Sequence, residues 1–148
     1  MEIKKRLSSI IESPSHNTTE KLEKICHLLD QEFDYFNWTG FYFKNGDKEE
    51  LVLGPYVGAE TDHTVIPFGK GICGQVAVSG ETFVVPDVQA QDNYLSCSID
   101  TKSEIVVPIF KNGKNIGQID IDSHKLDPFT TEDKEMLEWL CNEVSKIL

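Results

Sequence analysis

Cys97, Glu104, Asp120 and Asp122 are the residues whose types and spacing suggest chemistry in this chain. The last three lie in a stretch that reads Ser103-Glu104-Ile105-Val106-Val107-Pro108-Ile109-Phe110, then Lys111-Asn112-Gly113-Lys114, then Ile116-Gly117-Gln118-Ile119-Asp120-Ile121-Asp122-Ser123. Two apolar runs around an Asn-Gly pair predict a β-hairpin. Side chains alternate faces along a strand, so Asp120 and Asp122 share the face opposite Ile119 and Ile121. Cys97 sits on a polar loop just before the first of these strands. Ionised carboxylates near a thiol raise its pKa and weaken it as a nucleophile, which argues against a protease-like cysteine–histidine pair. Carboxylates held close together cannot all ionise, however, and one of them should keep a proton near neutral pH. A thiol beside a protonated carboxyl suits attack on a sulfoxide sulfur, because the oxygen leaves only once it is protonated. The thiol would become a sulfenic acid that a second cysteine could resolve. The plainer alternative makes Asp120 and Asp122 the wet face of an antiparallel sheet.

The elements that would position these residues follow from pattern. Ile3, Leu7, Ile10 and Ile11 predict a helix over residues 2–12, ended by Pro14. Asn17 with Glu20 forms a capping-box signature. It precedes a second helix whose apolar stripe is Leu22, Ile25, Cys26, Leu29 and Phe33. A strand follows in Trp38-Thr39-Gly40-Phe41-Tyr42-Phe43, with Trp38, Gly40 and Tyr42 on one face. A strand glycine between two aromatics admits a slot for a thioether-like side chain, or else both rings are simply core. After a turn at Asn45-Gly46 comes a strand over Glu50–Leu53, then a loop from Gly54-Pro55-Tyr56 to His63, then a short strand Thr64–Ile66.

Gly69-Lys70-Gly71-Ile72-Cys73-Gly74 has the spacing of a dinucleotide-binding loop. Pro67 interrupts the strand before it and the downstream elements are hairpins, so a nucleotide cofactor is not expected. The glycines instead lead into a short helix, Ile72 to Ser79, that places Cys73 near a helix N-terminus, where the dipole favours a thiolate. A strand Thr82–Val85 comes next, and a final helix begins after Phe129-Thr130 with the stripe Leu137, Leu140, Cys141, Val144 and Leu148. Cys26 and Cys141 fall on apolar stripes and read as core.

A length of 148 residues suits one domain, residues 1–148, with residues 1–16 as an N-terminal helical extension. A net charge of −11 disfavours nucleic acid and anionic membrane surfaces as partners. Neither a spanning run nor a signal-peptide pattern is visible, so a cytoplasmic location with reduced thiols is expected. The cysteine spacings fit neither a zinc ribbon nor a CxxC motif, and no metal is expected. The elements together predict an α+β domain built on a mostly antiparallel sheet.

Several short motifs occur in an order that carries a family resemblance: Asn37-Trp38-Thr39-Gly40-Phe41-Tyr42, Leu53-Gly54-Pro55, Gly69 to Gly74, Asp87-Val88, Ser103 to Ile109, Gly117 to Ser123 and Phe129-Thr130. In these the chain resembles the free methionine-(R)-sulfoxide reductases, which are GAF-domain proteins. The resemblance implies a central antiparallel sheet with helices on one face and a ligand pocket on the other. It implies Cys97 as the nucleophile, Cys73 as the resolving cysteine, and Glu104, Asp120 and Asp122 as the groups that hold the sulfoxide oxygen and the substrate ammonium. Trp38 and Tyr42 would wall the methyl-sulfur end. Free methionine sulfoxide is the implied substrate, thioredoxin the reductant, and pairing into homodimers through the terminal helices is a common family habit. Two departures stand out: Asp62-His63 replaces a further cysteine of many members, and Tyr94-Leu95-Ser96 replaces His-Ile-Ala ahead of Cys97. A non-catalytic GAF sensor of a small ligand or of redox state is the rival expectation.

Overall fold

A computed structural model describes residues 2–95 and 99–148. Its elements are α1 (Glu2–Glu12), α2 (Thr18–Glu32), β1 (Trp38–Lys44), β2 (Glu50–Val57), β3 (Val65–Pro67), α3 (Gly71–Ser79), β4 (Phe83–Val85), β5 (Ser103–Lys111), β6 (Lys114–Ser123) and α4 (Thr131–Val144). All strand pairs are antiparallel, in the order β3-β2-β1-β6-β5-β4. Among the described residues no helix is long and apolar enough to cross a membrane.

Local chemistry explains the element ends. The Asn17 side chain accepts from Glu20 N while Glu20 reaches back to the Asn17 backbone, closing the expected box, and Thr130 with Asp133 repeats it at α4. Each cap contributes about 1 kcal/mol. Asn112 and Gly113 take φ of 54° and 76°, the left-handed pair that a two-residue hairpin turn requires. Gly80 ends α3 at φ 69°. Boundaries differ from expectation on two neighbouring strands: β2 does not stop at Leu53 but continues to Val57, because β1 extends its ladder as far as Thr39 opposite Val57, and Pro67 does not interrupt β3 but closes it, opposite Glu50 on an edge strand.

Alternation along β1, β5 and β6 divides the apolar residues into two clusters. Phe41, Ile105, Val107, Ile119 and Ile121 meet the stripes of α1, α2 and α4, where Cys26 and Cys141 are buried as core residues. On the opposite face Trp38, Tyr42 and Val106 pack beneath α3 and its flanking loops. The sheet thus carries three helices on one face and the short α3 on the other.

Gly40 is where the pocket face tolerates no side chain. A Cβ there would lie 2.5 Å from the Trp38 ring and 2.6 Å from Tyr56 Cβ, because Trp38 folds across the glycine to stack on Tyr56 at 5.3 Å. Gly40→Ala is expected to lower stability by about 1–3 kcal/mol, the usual range for overpacking, read as a drop in the urea midpoint at unchanged m.

Candidate active site

Register assembles the acids. Glu104 on β5 pairs with Asp122 on β6, and Val106 with Asp120, so the three carboxylates occupy two adjacent rows of one face. On the other side of β6, Trp38 pairs with Asp122, Gly40 with Asp120 and Tyr42 with Gln118. Glu104, Asp120 and Asp122 are 3%, 1% and 2% exposed, which overturns the wet-face alternative.

Helix α3 lies over this face. Gln118 donates to the Cys73 carbonyl at 3.1 Å, and the Cys73 thiol lies 3.8 Å from Glu104 Oε2. Cys73, Glu104 and Asp120 each bring one polar atom within 4.8 Å of the others. Oε1 of Glu104 and Oδ1 of Asp120 are buried and meet no ordinary donor among the described residues, while the two carboxyls interact with each other. They line a cavity with Tyr42, His63, Lys70 and Leu95, whose free space of about 10 Å³ is that of about one water.

Glycines bring the loop before α3 this close. Gly69 and Gly71 take φ of 88° and 63°, and a Cβ on Gly74 would meet the Pro67 carbonyl at 2.7 Å. Asn93 then ties the following loop down, accepting from Gly71 N at 2.8 Å and donating to the Gly69 carbonyl at 2.6 Å.

Electrostatics follow from burial first. Desolvation, then Asp120 and then Asp122, push the Glu104 carboxyl well above its ordinary range. Asp120 is raised by desolvation too, but interactions with Glu104 and Cys73 pull against that rise. Burial and two neighbouring acids therefore favour the protonated form of Glu104. The Cys73 thiol is pushed up by burial first and by Asp120 and Glu104 next. This corrects the expected thiolate at Cys73: the helix N-terminus is there, but desolvation and two acids outweigh a dipole worth at most about 2 kcal/mol.

Residues 15–148 match the GAF domain family. A free methionine-R-sulfoxide reductase of Saccharomyces cerevisiae is 46% identical over 74% of this chain, which spans 62% of that relative's length. One from Escherichia coli is 36% identical over 82% of the chain and 72% of the relative. The crystal structure of free methionine-R-sulfoxide reductase from Neisseria meningitidis in complex with its substrate superposes at a TM-score of 0.89, with 36% identity over 98% of this chain and 84% of that one. The chain belongs to the free methionine-R-sulfoxide reductase family.

Within that GAF-fold reductase family, the described part of this chain brings Cys73, Glu104, Asp120 and Tyr42 to one cavity. Asp122 sits in the neighbouring row. Trp38 stacks between Tyr42, at 6.3 Å, and Tyr56, rather than lining the cavity. The polar ends of both aromatics are held by the loop after β2: Trp38 Nε1 donates to the Ala59 carbonyl and the Tyr42 hydroxyl to that of His63. Cys97, the expected nucleophile, lies outside the described residues. The sequence alone assigned no site role to His63, Lys70 or Asn93. A lone histidine or lysine in a loop carries no periodic signal, and Asn93 acts through two backbone contacts that no motif encodes.

Proposed function

We propose that this protein reduces free methionine-R-sulfoxide to methionine, as its relatives' names describe. The observation that carries the proposal is the buried Cys73–Glu104–Asp120 cluster on one cavity, with Glu104 favoured in its protonated form. A protonated acid facing a cavity is what departure of a sulfoxide oxygen requires. An ionised Asp120 offers a counter-charge for the substrate ammonium.

Cys97 attacks the sulfoxide sulfur while Glu104 gives its proton to the oxygen. As the hydroxyl passes to the Cys97 sulfur, the substrate S–O bond and the transient bond between the two sulfurs break, leaving Cys97 as a sulfenic acid; methionine departs two electrons richer, and the proton that Cys97 gave up returns Glu104 to its acid form. The Cys73 thiol then attacks that sulfenic acid, releasing water and forming a Cys73–Cys97 disulfide. Thioredoxin, a dithiol, returns both to thiols and is itself oxidised. Asp62-His63 stands where many family members have another cysteine, which leaves Cys73 or an external thiol to resolve the sulfenic acid, and the cavity position of Cys73 favours the first. Asp122, opposite Glu104, helps keep the glutamic acid protonated, and Tyr42, with Trp38 stacked behind it, shapes the methyl-sulfur end. Cycling thiols of this kind belong in the cytoplasm, and two chains would pair through α1 and α4.

The test is methionine formation from separated R and S sulfoxides, free and N-acetylated, with thioredoxin, thioredoxin reductase and NADPH. Methionine and matching NADPH loss are expected with the free R form alone. Folded protein that binds methionine sulfoxide but forms no methionine, even with dithiothreitol, would leave a ligand sensor as the better reading.

A further inference from the structure

We infer that Lys70 reads the substrate's α-carboxylate and thereby restricts the cavity to a free amino acid. The inference rests on the reductase reading and extends it to the end of the substrate that does not react. A free amino acid is a zwitterion, and the floor of this cavity is acidic: Glu104 and Asp120 line it, with Asp122 in the next row. An ammonium is welcome there and a carboxylate is repelled. The α-carboxylate must therefore point away from the floor. Lys70 is the lysine that lines the cavity, and no arginine does so among the described residues.

Its position is fixed by backbone rather than by side-chain contacts. Lys70 stands between Gly69 and Gly71, both at positive φ, and takes the N-cap place of α3 without capping it through its side chain. The Gly69 carbonyl and the Gly71 amide on either side are clamped by Asn93, which holds the lysine's Cα still. The ion pairs of the described residues are Arg6–Glu32 and Lys146–Glu143, so the Lys70 ammonium is committed to no carboxylate there. It is exposed, as a group that meets substrate at a rim should be. The positive end of α3 adds to its field. The cavity is thus negative at its floor and positive at its edge, the complement of an amino acid and not of a residue within a peptide, whose carboxylate has become an amide.

The experiment compares free L-methionine-R-sulfoxide with its carboxamide in wild type, Lys70→Met and Lys70→Arg, measuring kcat and KM separately. Wild type should disfavour the carboxamide by about tenfold or more in kcat/KM, the scale of one charge-assisted hydrogen bond. Lys70→Met should raise KM for the free substrate by about tenfold at nearly unchanged kcat, leave the carboxamide unaffected, and be largely rescued by Lys70→Arg. Added salt should raise KM in wild type and not in Lys70→Met. Equal losses on both substrates, or undiminished discrimination in Lys70→Met, would overturn the role of Lys70 while leaving the reductase intact. A wild type that reduces neither compound would remove the reductase reading and this inference with it.

Discussion

Cys97→Ser is expected to abolish methionine formation, by about 10⁴-fold or more, while Cys73→Ser still yields one equivalent of methionine per chain in a single turnover. The contrast follows from where the described thiols lie. Cys26 and Cys141 are enclosed by the helices of the opposite face, and burial pushes both thiols far above the ordinary range. Cys73 lines the cavity, but burial and its acidic neighbours hold it as a neutral thiol, a poor first nucleophile. It suits the second step better, since a sulfenic acid is a far more reactive electrophile than a sulfoxide. Without Cys73 the first oxygen transfer should proceed at its normal rate and the cycle should then stall. Thioredoxin-coupled NADPH consumption would fall, and a small thiol able to reach the cavity should restore part of it. Rapid-quench measurement of methionine separates the two steps. A Cys97→Ser protein that keeps a full first turnover would assign the attack to another thiol, and a Cys73→Ser protein with unimpaired thioredoxin coupling would place resolution elsewhere.

The hairpin that organises the site was legible because its turn must be Asn-Gly: both central residues need positive φ, and Asn112 and Gly113 supply it. The relative face of the acids was only half legible. Alternation alone puts Asp120 with Asp122. It does not place Glu104, because the hairpin register near the turn pairs Phe110 with Asn115, and carrying that register along β5 would set Glu104 opposite Ile121. The ladder instead shifts between Ile109 and Phe110, leaving Ile116 as an extra residue on β6, and Glu104 then meets Asp122. A shift of one residue reverses the face a side chain occupies. Gly117 sits at that irregularity, where a Cβ would lie 2.6 Å from the Tyr42 carbonyl. The glycine was visible in the sequence; that it marked a change of register was not. Burial was equally hidden. Alternating acids on a strand describe a solvated face just as well, and only α3 and its glycine loop, folded back over the sheet, turn two surface acids into buried ones.

Glu104→Gln is expected to lower kcat by about 10²–10⁴-fold, the range for loss of a positioned general acid. An amide keeps the shape and the hydrogen-bonding capacity of the neutral carboxyl but cannot deliver its proton. The groups facing Glu104 are Asp120 and Asp122 from β6 and Cys73 from α3, with Tyr42, His63 and Lys70 around the cavity. Only Lys70 among them carries a fixed positive charge, and it is exposed at the rim, so the upward shift of Glu104 stands. Activity in wild type should accordingly fall on the alkaline side as Glu104 loses its proton. The same shift fixes the sign of a stability effect. With the folded-state pKa above the ordinary 4.5, the native protein binds the extra proton from there upward, and wild type loses stability as pH rises through the folded value. Glu104→Gln has no such proton to lose. Its urea midpoint relative to wild type should therefore climb with pH, from no advantage near 4.5 to a clear one in mildly alkaline buffer. Activity and stability then move in opposite directions in one variant, as expected where a buried acid is retained for its chemistry at some expense to the fold. A Glu104→Gln protein that loses both, with a stability difference flat in pH, would mean that the glutamate is ionised and structural, and the proton would have to come from Asp120.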